Sequence, residues 1–188
     1  MPLAHLAVDQ LITAVAARTA APGGGASAAV AAALGCAAGA MAARYTSGTR
    51  YAAVEAEAQA FAEVLGAAAR DCLRLGDADA EAFAAVGAAR KAGDPAGVAA
   101  AEARAAAVPA DLLAACALHA AGLAGFLGTC NPNLTSDVKV GIHLLAGAGR
   151  AAWQTLLVNH PDPGLRQVAD AHRRALARAE AVLDEGDG

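Results

Sequence analysis

Residues 19–43 read TAAPGGGASAAVAAALGCAAGAMAA, a proline and three consecutive glycines followed by a chargeless run of mostly alanine and glycine. Such a stretch admits three readings: a phosphate-gripping loop, a membrane span, or a bare-backbone corner opening a helix that packs closely on others. A Walker loop needs G-x-x-x-x-G-K-[ST] after a strand, and a dinucleotide fingerprint needs G-x-G-x-x-G inside a strand–helix–strand unit. Neither the lysine nor a strand pattern is present. Length would permit a span here and again over residues 112–130, where His119 is the only acidic or basic side chain. Both stretches, however, are rich in Ala and Gly rather than in the Leu, Ile and Phe that drive insertion, and flanking aromatic anchors are missing. The third reading remains, and it decides the fold. Ala31, Gly35, Gly39 and Ala43 recur every four residues, a stripe of small side chains that lets a second helix approach.

The rest of the composition agrees. Hydrophobic residues make up 57% of the 188 residues, but most of them are alanine, and the only aromatics are Tyr45, Tyr51, Phe61, Phe83, Phe126 and Trp153. Alanine has the highest helix propensity and loses no rotamer entropy on packing. Runs of Val, Ile, Thr and Tyr with period two are absent. The expected fold is all-α: a single-domain up-and-down bundle of long helices packed through small residues, spanning 1–188 with a core over about 10–159 and a C-terminal helix over about 164–183. A net charge of −4 and no basic stripe exclude a general nucleic-acid binder. The four cysteines, Cys36, Cys72, Cys116 and Cys130, form no C-x-x-C pair and follow no signal peptide, so the chain reads as cytoplasmic with reduced, buried thiols.

Working outward from the glycines, a first amphipathic helix is expected over about 3–18 and the small-residue helix over about 26–45. A turn follows at Thr46-Ser47-Gly48-Thr49, then a helix over about 51–75. Gly76 is expected to interrupt the pattern and Asp77 to cap a further helix ending near Ala92-Gly93. Asp94-Pro95 opens the next, which Pro109 kinks or restarts and which runs to about Gly128. The loop GTCNPNLTSD leads into a helix ending near Asn159, and Pro161-Asp162-Pro163 separates it from an Arg-rich outer helix. The terminal DEGDG is expected to fray.

Three segments stand out chemically. The triple glycine either makes a turn or admits a ligand or second chain to its backbone. In NPNLTSD, residues 131–137, Thr135 or Ser136 can cap the following helix. Alternatively, if Asn133 is already helical it shares a face with Asp137, where a carboxylate can accept two parallel hydrogen bonds from an amidine-like edge such as that of a pterin. DADAEAF, residues 77–83, is either an acidic helix start complementing the macrodipole or a functional carboxylate cluster. The histidines show neither H-x-x-x-H nor H-E-x-x-H spacing, so no metal site is expected, and G-x-S-x-G is absent.

In this order and spacing, the glycine segment, DADAEAFAAV, Val108-Pro109, NPNLTSD and LLVN resemble the cyclodeaminase/cyclohydrolase family. That family comprises the C-terminal domain of formiminotransferase-cyclodeaminase and stand-alone methenyltetrahydrofolate cyclohydrolases. The resemblance implies an all-α homodimer with a tetrahydrofolate site near the dimer interface, no metal and no organic cofactor. The implied reaction is cyclodeaminase or cyclohydrolase chemistry at the carbon bridging two folate nitrogens. It further implies that Asp79 is the acid/base or cation-stabilising group, and that Asn131, Asn133, Ser136 and Asp137 grip the pterin. Gly23, Gly24 and Gly25 would admit folate, and Arg50 is the nearest cation for its glutamate tail. The turn SGTRY replaces the family's lysine-rich G-K-K-[KR]-Y. That favours an alternative, a non-catalytic helical dimer that keeps the fold and a ligand pocket.

Overall fold

The computed structural model describes residues 1–183. Among these there are helices and connecting turns but no strand: α1 (Val8–Ala16), α2 (Gly24–Arg44), α3 (Glu55–Ala92), α4 (Pro95–Phe126), α5 (Thr135–Val158) and α6 (Pro163–Ala181), with short 3-10 turns at Leu3–His5, Thr49–Tyr51 and Pro132–Leu134. Helix α2 packs on α3 and α5, and α4 packs on the same two, so the four close into a ring. Each runs antiparallel to its neighbours, as short connections require. Helix α6 lies outside, against α4 and α5.

The small-residue stripe does what its spacing implies. A Cβ on Gly35 would lie 2.9 Å from the Gly141 carbonyl oxygen, and a Cβ on Gly141 would lie 2.9 Å from that of Gly35, so α2 and α5 cross backbone to backbone. Lower on α2, a Cβ on Gly39 would meet Leu123 Cδ2 at 2.5 Å, which marks the hole that this α4 side chain fills. The core beneath is a lattice of alanines studded with Leu65, Leu113, Leu123, Ile142, Leu145 and Leu156. Helices α2 and α4 are long and apolar enough to cross a membrane, but 61% and 56% of their most apolar windows are buried inside the protein. They are core helices of the bundle. Cys36, Cys72, Cys116 and Cys130 are free and buried in it.

Three expectations need correction. Helix α3 runs unbroken through Gly76 for 38 residues. Glycine in a helix interior costs about 1 kcal/mol relative to alanine, yet here it makes room: a Cβ would stand 2.5 Å from Leu3 Cδ1 and 2.8 Å from Ala29 Cβ. Asp77 therefore caps nothing; its Oδ1 accepts the Leu3 N–H at 2.9 Å and ties down the N-terminal turn. Helix α4 likewise does not restart at Pro109 but continues through it. The first helix is shorter than expected, since the chain straightens at Leu6 before α1 begins, and α1 buries none of its residues.

Helix α6 begins at Asp162, whose Oδ1 accepts the N–H groups of Gly164 and Leu165 at 2.8 and 3.0 Å. It is held at its far end by Glu180, which accepts from Arg150 Nη1 at 2.5 Å and pairs with His143 Nδ1 at 3.2 Å. Residues 184–188, the DEGDG expected to fray, lie outside the described residues.

Glycines of equal helix propensity should respond oppositely to the same change. Gly35→Ala should destabilise the protein by about 1–2 kcal/mol net, the overpacking outweighing the propensity gain. Gly87→Ala, where a Cβ meets nothing within 4 Å, should stabilise it by about 0.5–1 kcal/mol. Urea denaturation of the two variants checks the signs.

Candidate active site

At one end of the bundle, the start of α2, the C-terminal part of α3, the start of α4 and the end of α5 enclose a cleft of about 850 Å³. Residues 20–26 form one wall, with Pro22 following a cis peptide bond. Asp79 projects from α3 beside them. A Cβ built on Gly25 would coincide with the Asp79 carboxyl, striking Oδ2 first, so only glycine lets the carboxyl lie on the α2 backbone. Asp79 has no hydrogen bond or ion pair among the described residues, and burial holds its pKa above the ordinary carboxylate value. An unpaired acid of that kind, at the edge of an apolar cleft, is suited to hold and release a proton.

The opposite wall is fixed by a backbone defect. Pro109 has no N–H, so the carbonyl of Ala105, four residues earlier in α4, loses its helical donor. Asn159, at the end of α5, supplies the missing hydrogen: its Nδ2 donates to Ala105 O at 2.9 Å and to Thr155 O at 3.0 Å. With its amide hydrogens spent, the side chain has only Oδ1 left to offer the cleft that it lines. Thr155 Oγ1 turns back to the Ala151 carbonyl at 3.3 Å. His160 follows with φ of 50°, a left-handed conformation that costs a non-glycine residue on the order of 1 kcal/mol. It too lines the cleft.

Gly23, Gly24, Gly25 and Asp79 are thus brought together. The other candidates are not among them. Arg50, Asn131, Asn133, Ser136 and Asp137 sit at the opposite end of α2 within the chain, a helix length of ~30 Å away. Arg50 lies over the Tyr51 ring, 5.7 Å from its centroid. Asn131 joins helix ends. Its N–H donates to Thr46 Oγ1 at 3.0 Å, its Nδ2 to Tyr45 O at 3.1 Å, and its Oδ1 accepts the Asn133 N–H at 3.1 Å. These bonds pin the α4–α5 connection to the end of α2, with Thr46 fully buried between them. The cleft also contains residues beyond those expected in the site from the sequence, among them Phe83, Arg90, Asn159 and His160. Their spacing from Asp79 within the helix expected over 77–92 already puts the first two on its face.

The sequence model of the formiminotransferase-cyclodeaminase family matches residues 7–181. The chain belongs to that family. Its fold is also that of the crystal structure of formiminotetrahydrofolate cyclodeaminase from Thermotoga maritima, with a TM-score of 0.91 over 97% of this chain and 96% of that one at 24% identity. No curated protein matches the chain at a significant level.

The paired roles of Pro109 and Asn159 predict a coupling. Asn159→Leu should cost about 1–3 kcal/mol by stranding the Ala105 carbonyl. In a Pro109→Ala background, where residue 109 regains its N–H, the cost should fall by about 1 kcal/mol. A double-mutant cycle in urea measures the difference, and additive costs would contradict the account.

Asp79 predicts a pH dependence. Its folded pKa is raised, so the folded state holds the proton more tightly than the unfolded one, and stability declines as pH climbs from the unfolded value through the folded one. Asp79→Asn should therefore raise the melting temperature at pH 7, with the gain vanishing below about pH 4, where the unfolded carboxyl is also protonated.

Proposed function

We propose that the protein is a folate one-carbon enzyme acting on the carbon that bridges two folate nitrogens, as a formiminotetrahydrofolate cyclodeaminase or a methenyltetrahydrofolate cyclohydrolase. Family membership supports the substrate class. The observation that carries the chemistry is the unpaired Asp79 carboxyl seated on Gly25 inside the cleft.

In the deaminating direction, one folate nitrogen attacks the formimino carbon borne by the other and gives a tetrahedral carbon. The C–N bond to the former imine nitrogen then breaks, releasing ammonia and leaving a cationic methenyl bridge. In the hydrolytic direction, water adds to that bridge and a ring C–N bond opens to the formyl form. Both routes need a group that accepts a proton from the attacking nitrogen or water and returns one to the leaving nitrogen. Asp79 does this, and its raised pKa keeps the transfer reversible closer to neutrality than an ordinary aspartate could. Its anionic form, partly buried at the cleft wall, also faces the amidinium-like cation, and an opposite charge counts for more there than in water. This chemistry draws on no metal and no organic cofactor, and the proposed setting is the cytoplasm, without nucleic-acid or membrane partners.

The same reading includes a homodimer. Helix α2 leaves Leu34, Met41 and Tyr45 exposed along one face, with Val140 of α5 also exposed near the Gly35–Gly141 crossing. An antiparallel two-fold pairing of α2 with its copy would carry the 131–137 segment of the second chain toward this cleft. It offers those residues the role in pterin binding that they cannot take within one chain.

Loss of the methenyl-tetrahydrofolate ultraviolet band, and ammonia release from formimino-tetrahydrofolate, test the reaction and choose between its two forms. Asp79→Asn should lower kcat at least about a hundredfold with the helical circular dichroism intact. Acceleration of neither substrate by the parent protein would leave the non-catalytic reading.

A further inference from the structure

Helix α3 carries a second pattern beyond Asp79. Phe83, Val86 and Arg90 follow it at intervals of four, three and four residues, which returns each to the same helical face, and all four line the cleft. At 1.5 Å per residue the row covers ~16 Å. It presents, in order, an acid, a flat aromatic ring, an aliphatic group and a cation. Phe83 is 60% exposed and, among the described residues, is the only Phe, Tyr or Trp side chain lining the cleft, so its ring is available for stacking. Across from Arg90, Glu102 of α4 accepts from Nη2 at 2.7 Å. Both side chains of that pair are substantially solvent-exposed, at 65% and 46%, so the bond contributes little to stability and an incoming carboxylate can compete for the guanidinium.

From this row, and resting on the folate reading above, we propose the direction in which substrate lies. The bridging carbon sits at Asp79, and the pterin extends toward the glycine corner. The aminobenzoyl ring lies on Phe83, and the glutamate carboxylates reach Arg90 near the tip of the α3–α4 hairpin. Arg90 and Phe83 are then specificity-determining residues, and Arg90 takes the role expected of Arg50. Two features favour this direction over its reverse. Among the described residues, Arg90 is the only arginine or lysine that lines the cleft. Arginine also leans toward the N-terminus of its own helix, back along the row toward Asp79. Glu102 sets the strength of the tail contact, because it occupies the guanidinium and repels the carboxylates.

Titration calorimetry with 5-formyltetrahydrofolate and with its glutamate diamide tests this directly. The parent protein should bind the acid form more tightly than the diamide by about tenfold, the worth of one charge-assisted contact. Arg90→Ala should abolish the difference, Arg90→Lys should keep most of it, and Glu102→Gln should enlarge it. Phe83→Ala should weaken both ligands equally, with Phe83→Tyr restoring them. Melting curves should show each variant folded. If Arg90→Ala binds both forms as the parent does, the orientation is wrong while the folate reading stands. If the parent binds neither form, both readings fail.

Discussion

The backbone contact between Gly35 and Gly141 sets the dimensions of the molecule. Two helices whose axes approach until a carbonyl of one fills the place of a Cβ on the other cannot slide or rotate without collision. Because α2 is locked to α5 there and to α3 through Gly39 and Gly76, its N-terminus is delivered to one place at the end of the bundle. Alanine buries little apolar area per residue, so a core of this kind gains less from area removed from water than a leucine core would. It compensates through density, with many backbone and Cβ atoms at contact distance. The few leucines act as knobs, as Leu123 does over Gly39 and Leu176 does against Gly149.

That same tightness lets a local defect serve the cleft. Pro109 removes a hydrogen bond from the interior of α4, and an isolated helix would bend there. In this bundle the vacated Ala105 carbonyl is paired by Asn159. The end of α5 is thereby fastened to the start of α4, at the wall facing Asp79. Proline in one helix and asparagine in another are complementary halves of one hydrogen bond. Neither residue explains itself alone.

Legibility from sequence divides along the same line. Residues 19–43 disclosed the fold class and the close helix contact, because alanine dominance and four-residue glycine spacing act locally. Gly76 does not interrupt its helix and Pro109 does not restart its own, since both residues, which disfavour helices in isolation, are retained here by contacts with Leu3 and Asn159 that are distant in the chain. The expected interruption at Gly76 divided one helix into two and so separated the start of α3 from the stretch that carries Asp79 on to Arg90. Asp79 and the triple glycine converge because α2 and α3 run antiparallel. The 131–137 segment attracted attention through its polar density, and Asn131 spends that polarity on joining helix ends.

Two carboxyls in the chain show how placement determines a role. Around Glu180, burial by itself would raise the pKa, but hydrogen bonds from Arg150 and His143 outweigh it and the net shift is downward. Its ionised form is favoured in the folded state, and it helps fasten α6. Asp79 experiences burial without any such compensation, and its pKa moves the other way. Among the described residues no cationic side chain pairs with it, although Arg90 lies on the same face of the same helix. A lysine or arginine placed beside Asp79 would steady the fold and make the carboxyl a poor proton carrier. Its isolation costs stability at neutral pH, and on the proposed reading it leaves the carboxyl's charge for a cation that arrives only with substrate.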